Sequence, residues 1–65
     1  MEERRKHIEK RIRDSRLKDY EVAAEIGISH YTFCVWKRNF TDERYDKTNA
    51  AIDILIKNMW KGAQN

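Results

Sequence analysis

The sequence contains no proline and only two glycines, Gly27 and Gly62, among its 65 residues. Proline and glycine are the residues that most often interrupt helices, so long stretches of the chain have no strong helix breaker. There is also no apolar run near the ~20 residues that a transmembrane helix requires. These absences predict an all-α fold that does not cross a membrane.

Cysteine is equally scarce, since Cys34 is the only one in the chain. It cannot form an intramolecular disulfide, and small domains made for oxidising compartments usually contain several. The first residues are charged rather than apolar, unlike an export signal. We therefore expect a cytoplasmic protein.

The length allows one small domain, residues 1–65. A chain of this size buries only about 60% of the surface that it exposes when unfolded, which leaves little room for an enclosed substrate pocket. The composition therefore argues against an enzyme, and we expect no small-molecule substrate.

Apolar residues recur at helical spacing along the chain. From about Glu2 to Ser15, Ile8 and Ile12 make one thin apolar stripe among charged residues. After Thr41, a predicted N-cap, the residues that share one helix face are Tyr45, Ile52, Leu55, Ile56 and Met59. With the two segments between them, the pattern predicts a bundle of four to five helices.

Capping residues mark the two middle segments. Asp19 is the predicted N-cap of a helix that runs through Ile26, and Gly27 follows where a helix C-terminus favours a left-handed residue. Ser29 is the predicted N-cap of the next helix, which extends to about Arg38. The two helices are therefore short and separated by a tight turn.

Residues 19–38 meet the packing requirements of a helix-turn-helix motif. Two short helices that cross at ~90 to 120° need facing apolar residues, a small residue where the backbones approach, and glycine at the turn. Ala23 is the small residue and Gly27 lies in the turn. The apolar positions are filled by Val22, Ile26, Ile28, Phe33 and Trp36. The pattern predicts a DNA-binding helix-turn-helix motif.

The stretch from Leu17 to Arg38 resembles the lambda-repressor-like and related short helix-turn-helix regulators of bacteriophages and mobile elements of Gram-positive bacteria. The similarity lies in an aromatic-Glu-Val-Ala segment at residues 20–23 and a Gly-Ile-Ser-x-Tyr-Thr-Phe segment at residues 27–33. It continues loosely through Phe40 and the final helix. The resemblance implies a regulator of transcription that binds double-stranded DNA, but it does not indicate an operator.

The third helix supplies the candidate DNA-binding residues, because its outer face is free if Phe33 and Trp36 face the core. These residues are Ser29, His30, Tyr31, Thr32, Cys34, Val35, Lys37 and Arg38. In this motif the N-terminal end of the recognition helix contacts base edges, and we expect its last two basic residues near phosphates. No Arg, Asn or Gln lies at that end, so the usual bidentate contacts to bases are absent.

The positive charge is concentrated before this motif. Residues 1–18 contain eight basic and four acidic side chains, whereas residues 19–40 contain two and three, and residues 41–65 contain four of each. A basic segment can bind phosphates with a sequence-independent gain in affinity from counterion release. We therefore expect the first helix to lie along the DNA backbone.

Metal binding and catalysis are the alternative chemistry for this segment. His30 and Cys34 are four residues apart on one helix, but a closed zinc site needs about four ligands and the only other histidine is His7. Cys34 also lacks a neighbouring base that would activate it as a nucleophile. We expect no metal, no cofactor and no catalytic residue.

Three further hypotheses remain open at this stage. The chain is also consistent with a recombination directionality (excision) factor, or with a phage-encoded protein-interaction module such as an antirepressor or inhibitor. In addition, Ile54 lies opposite the apolar stripe of the last helix and Trp60 lies at the edge of that stripe. This placement predicts a homodimer through the C-terminal helix, unless Ile54 is merely a lone surface aliphatic residue.

Overall fold

The computed structural model describes the backbone of residues 2–64 and the side chains of residues 3–59. This part of the chain forms four helices and no strand: α1 (Glu2–Asp14), α2 (Asp19–Ile26), α3 (His30–Arg38) and α4 (Asp42–Gln64). The prediction of an all-α bundle is confirmed. None of the four described helices combines the length and the apolar character needed to cross a bilayer.

The core lies where α4 packs against α1 and α2, and where α2 packs against α3. Nine apolar side chains are buried in it: Ile8, Ile12, Leu17, Val22, Ala23, Phe33, Phe40, Ala51 and Ile52. Ile26, Ile28 and Trp36 are partly buried against this core. The inner faces predicted for α2 and α3 are therefore the faces that pack, and each large side chain fully buried there contributes about 1.5 to 3 kcal/mol.

The turn between α1 and α2 contains a left-handed residue that is not glycine. Arg16 has φ 58°, its backbone N–H donates to the carbonyl of Arg13 at 3.0 Å, and the N–H of Leu17 donates to the carbonyl of Ile12 at 2.9 Å. These two hydrogen bonds define a Schellman motif, and the buried Leu17 supplies its hydrophobic contact. No glycine marks this motif, so the sequence pattern does not predict it.

The turn between α2 and α3 is built on Gly27, as predicted. Gly27 has φ 94°, and its N–H donates to the carbonyls of Ala23 at 2.9 Å and of Ala24 at 3.2 Å. The N–H of Ile28 also donates to the carbonyl of Ala23, at 3.0 Å. Ile28 then packs against the core, so this turn is also a Schellman motif.

Two of the three predicted N-caps are confirmed. The hydroxyl of Ser29 accepts a hydrogen bond from the Thr32 N–H at 3.1 Å, and the hydroxyl of Thr41 accepts one from the Arg44 N–H at 3.3 Å. The assignment of Asp19 is wrong, because the extended residue before α2 is Lys18. Lys18 has no acceptor in its side chain, and the carboxylate of Glu21 instead accepts its backbone N–H at 2.9 Å.

The long helix α4 has 23 residues, against 13 in α1. Its single buried polar side chain among the described residues is Thr48, whose hydroxyl donates to the Arg44 carbonyl at 2.8 Å. Met59, expected on the core-facing stripe, is 49% exposed because α4 is longer than the helices on which it packs. Ile54 is 46% exposed, as its opposite placement predicts, and the side chain of Trp60 lies outside the described residues.

Candidate nucleic-acid interface

The helix α3 has one buried and one exposed face. Phe33 is fully buried and Trp36 is partly buried against the core. On the other face Tyr31 is 77% exposed, Val35 is 39% exposed, and Arg38 is exposed. An exposed tyrosine and an exposed valine one turn apart form an outer ridge that the rest of the described chain leaves uncovered.

The first turn of α3 has two hydroxyls that are already hydrogen-bonded to each other. The Ser29 hydroxyl donates to the Thr32 hydroxyl at 2.9 Å while it accepts the Thr32 backbone N–H. The side chains of His30 and Tyr31 are exposed beside this pair. Ser29 is exposed too, but its hydroxyl and that of Thr32 are engaged in ordering the helix start. His30 and Tyr31 are therefore the residues at this end whose polar groups are directed to base edges in the expected contact.

Lys37 does not lie on the exposed face on which the sequence analysis expected it. Its side chain is only 16% exposed, and its ammonium group lies 2.8 Å from the carboxylate of Asp19 and 3.7 Å from that of Glu9. Lys37 follows Phe33 by one helical turn, so it projects from the packed side of α3 toward α1 and α2. It joins three helices instead of extending into solvent.

Cys34 is half-buried beside the outer ridge of α3. Among the described residues, no group of three His, Cys, Asp or Glu side chains is close enough to hold a metal ion. The pair formed by His30 and Cys34 therefore gains no third ligand from that part of the fold. Any contact that Cys34 makes with a partner is then by packing or by its weak thiol donor.

The basic residues of α1 are divided between paired and unpaired side chains. Arg5 and Lys10 are paired with acidic residues one turn away, Glu9 at 3.2 Å and Asp14 at 3.1 Å. Two arginines reach α4 instead. Arg4 contacts Asp42 at 2.7 Å, and Arg11 contacts both Asn49 and Asp53. The expectation that the whole first helix lies along phosphates is therefore too broad, because four of its cations serve intramolecular pairs.

The exposed cations Arg13, Arg16 and Lys18 have no carboxylate within 4.0 Å among the described side chains. They line an open groove of about 510 Å³ at the α1–α2 turn, which we call the turn groove. The other residues that line it are Glu9, Ile12, Leu17 and Asp19. The sequence places Glu9 four residues before Arg13, a spacing that favours an ion pair, so only the structure distinguishes Arg13 from the paired cations.

A second, more apolar groove of about 320 Å³ lies between the α2–α3 turn and α4. One wall contains Ile26, Ile28 and Trp36, and the α4 wall contains Ala50, Ala51 and the exposed Ile54. Glu25 and Lys47 also line it. This groove combines an exposed aliphatic side chain with small residues that permit close approach of another helix.

The chain was compared with known protein families, curated proteins and solved structures, and none of these comparisons finds a match.

Proposed function

We propose that this chain is a sequence-specific protein that binds double-stranded DNA and regulates transcription, with α3 as the helix that enters the major groove. The observation that carries the proposal is the two-sided character of α3. Phe33 and Lys37 fix one side to the rest of the fold, while Tyr31, Val35 and Arg38 are uncovered on the other. A helix of about 10 to 12 Å diameter fits a major groove about 12 Å wide.

The side chains of α3 suit different parts of that contact. His30 and Tyr31 can hydrogen-bond to base edges at the N-terminal end of the helix, and Val35 can pack on a thymine methyl group. Cys34 lies one turn along from His30, beside that contact. Arg38, at the other end, suits a phosphate. Ser29 and Thr32 set the geometry of the helix start through their mutual hydrogen bonds.

Substitutions on α3 test this division of roles. We expect Arg38→Ala to weaken binding to all duplex sequences equally and to reduce its salt dependence. His30→Ala and Tyr31→Ala should instead change the preferred sequence, by about 1 to 3 kcal/mol at each contacted base pair. Selection from a random duplex pool measures both effects. A uniform loss from all three variants would show that the outer ridge does not read sequence.

The proposal includes self-association through α4. One short recognition helix makes few base contacts, whereas a two-fold pair reads two half-sites about one helical turn apart, ~34 Å. The exposed Ile54 and the small residues beside it supply a surface for such a contact. We expect Ile54→Lys to shift a dimer toward monomer in sedimentation and to weaken operator binding. Identical mass and identical DNA affinity in the variant would contradict it.

The consensus from the random pool also identifies the kind of DNA-binding protein. A two-fold symmetric sequence supports a dimeric regulator, whereas tandem direct repeats support a recombination directionality factor whose copies bind side by side. The proposed role needs no covalent chemistry and no bound cofactor in either case.

A second candidate function is a protein-interaction module, such as an inhibitor or antirepressor. The exposed Tyr31 and Val35 favour it, because an aromatic and an aliphatic side chain on an open ridge also suit a protein partner. Salt dependence distinguishes the two functions. A DNA-binding protein loses affinity for random duplex DNA steeply as salt increases, and a protein-interaction module hardly binds it.

A further inference from the structure

We infer that the turn groove is a second phosphate-binding surface, in which Arg13, Arg16 and Lys18 bind the backbone of the duplex that α3 contacts. This inference rests on the proposed function and specifies its partner chemistry on a separate part of the fold. It assigns backbone binding to three of the eight cations in residues 1–18 and excludes the four that are paired within the chain.

The turn groove carries positive charge that its own acidic residues do not neutralise. The two acidic residues that line the turn groove, Glu9 and Asp19, are both engaged by cations that do not line it. Lys37 contacts both, and Arg5 also contacts Glu9. The charges of Arg13, Arg16 and Lys18 are therefore left without a nearby counterion among the described side chains. An open groove with three such cations attracts a polyanion and releases its counterions.

The turn groove lies next to α3. Lys37 belongs to α3, and its ammonium group contacts two residues that line the turn groove. The groove therefore borders the recognition helix on the side from which Lys37 projects. A helix in the major groove has a row of phosphates on each side of it, so cations beside α3 are placed to contact one of those rows.

The left-handed position in the α1–α2 turn is occupied by a residue other than glycine. An L-residue is less stable than glycine in this conformation, and arginine has no short polar group that could reduce the cost. The chain has arginine at position 16, with φ 58°. Strained residues are concentrated at functional sites, and a guanidinium suited to phosphate is a functional reason to retain one here.

The test compares two triple variants with the same change in net charge. R13Q/R16G/K18Q removes the three cations that line the turn groove, with glycine chosen at position 16 because it favours the left-handed backbone. R5Q/K10Q/R11Q removes three cations of α1 that are each paired with an acidic residue, Glu9, Asp14 and Asp53 respectively. Both are assayed on random duplex DNA over a range of salt concentrations, and thermal melting confirms that each folds.

We expect the slope of log affinity against log salt to fall by about 0.9 for each cation in the first variant, and to change little in the second. If the first variant does not fold, the three single substitutions are measured, each with an expected loss of about 0.9. Equal losses in the two triple variants would overturn the inference, because net charge alone would then explain binding.

Two further outcomes separate the inference from the function on which it rests. If the unmodified chain does not bind duplex DNA, the proposed function fails. If it binds and the R13Q/R16G/K18Q variant retains the full slope, only the inference fails.

Vesicles of phosphatidylserine serve as a second anionic probe. Binding to vesicles that these substitutions abolish, with DNA binding unchanged, would assign the groove to membrane lipid and overturn the inference.

Discussion

The turns on either side of α2 share one backbone construction but differ in the residue at its centre. In both, a left-handed residue ends a helix and the next residue packs into the core. At the first turn these residues are Arg16 and Leu17, and at the second they are Gly27 and Ile28. The hydrogen bonds to the preceding helix also correspond, at 2.9 Å for Leu17 and 3.0 Å for Ile28.

The difference between them shows what holds each turn in place. Gly27 populates the left-handed region at little cost, so the second turn needs only a partly buried Ile28. Arg16 populates that region only at a conformational cost, and the residue that follows it, Leu17, is buried in the core. Burial of the residue after the turn compensates for the conformational cost at the turn itself. The two turns should therefore differ in how much stability is lost when the residue after the turn is truncated, and substitutions can measure that difference.

The largest expected effect is the loss of the side chain after the first turn. We expect Leu17→Ala to lower the free energy of unfolding by about 2 to 5 kcal/mol, since Leu17 is buried in the core. Ile28→Ala is the matched substitution at the second turn, and we expect it to cost about 1 to 2 kcal/mol because Ile28 is only partly buried. Urea denaturation measures both. Equal losses would break the proposed difference between the turns.

A smaller effect is expected from the glycine. Gly27→Val should cost about 2 kcal/mol, because a β-branched residue is strained at φ 94°. A Cβ atom at this position would have no heavy atom within 4 Å, so the cost lies in the backbone and not in a steric clash. The control is Ala24→Val on the exposed side of α2, with an expected cost of about 0.5 kcal/mol from helix propensity. Similar losses for both variants would contradict a left-handed residue 27.

The smallest expected effect has the opposite sign. Arg16→Gly should raise the free energy of unfolding by about 0.5 kcal/mol, since relief of the left-handed strain exceeds the greater entropy of glycine in the unfolded chain. Arg13→Gly inside α1 is the control, and we expect it to lose about 1 kcal/mol. A chain that is more stable but has a weaker salt dependence for DNA would show that Arg16 is retained for binding. Destabilisation by Arg16→Gly would contradict the strain.

Several features of this protein are predictable from the sequence because they depend on neighbouring residues. Gly27 at the second turn, Ser29 before α3 and Thr41 before α4 act through hydrogen bonds within four residues, and all three agree with prediction. The all-α class follows from the absence of proline and from the spacing of the apolar residues. Residues 19–38 also identify α3 as the helix with an exposed face.

The tertiary structure alone determined which charged residues are available and which backbone position is strained. Lys37 lies on the Phe33 side of α3, and its ammonium group is held there by Asp19 and Glu9, which are distant in the sequence. Once Lys37 and Arg5 contact Glu9, Arg13 is left unpaired despite its favourable spacing. Arg16 is left-handed because the next residue, Leu17, must reach a core formed by other helices. Ion pairing and burial depend on groups that only the folded chain brings together, so local pattern identified the elements and tertiary contacts selected the residues of the site.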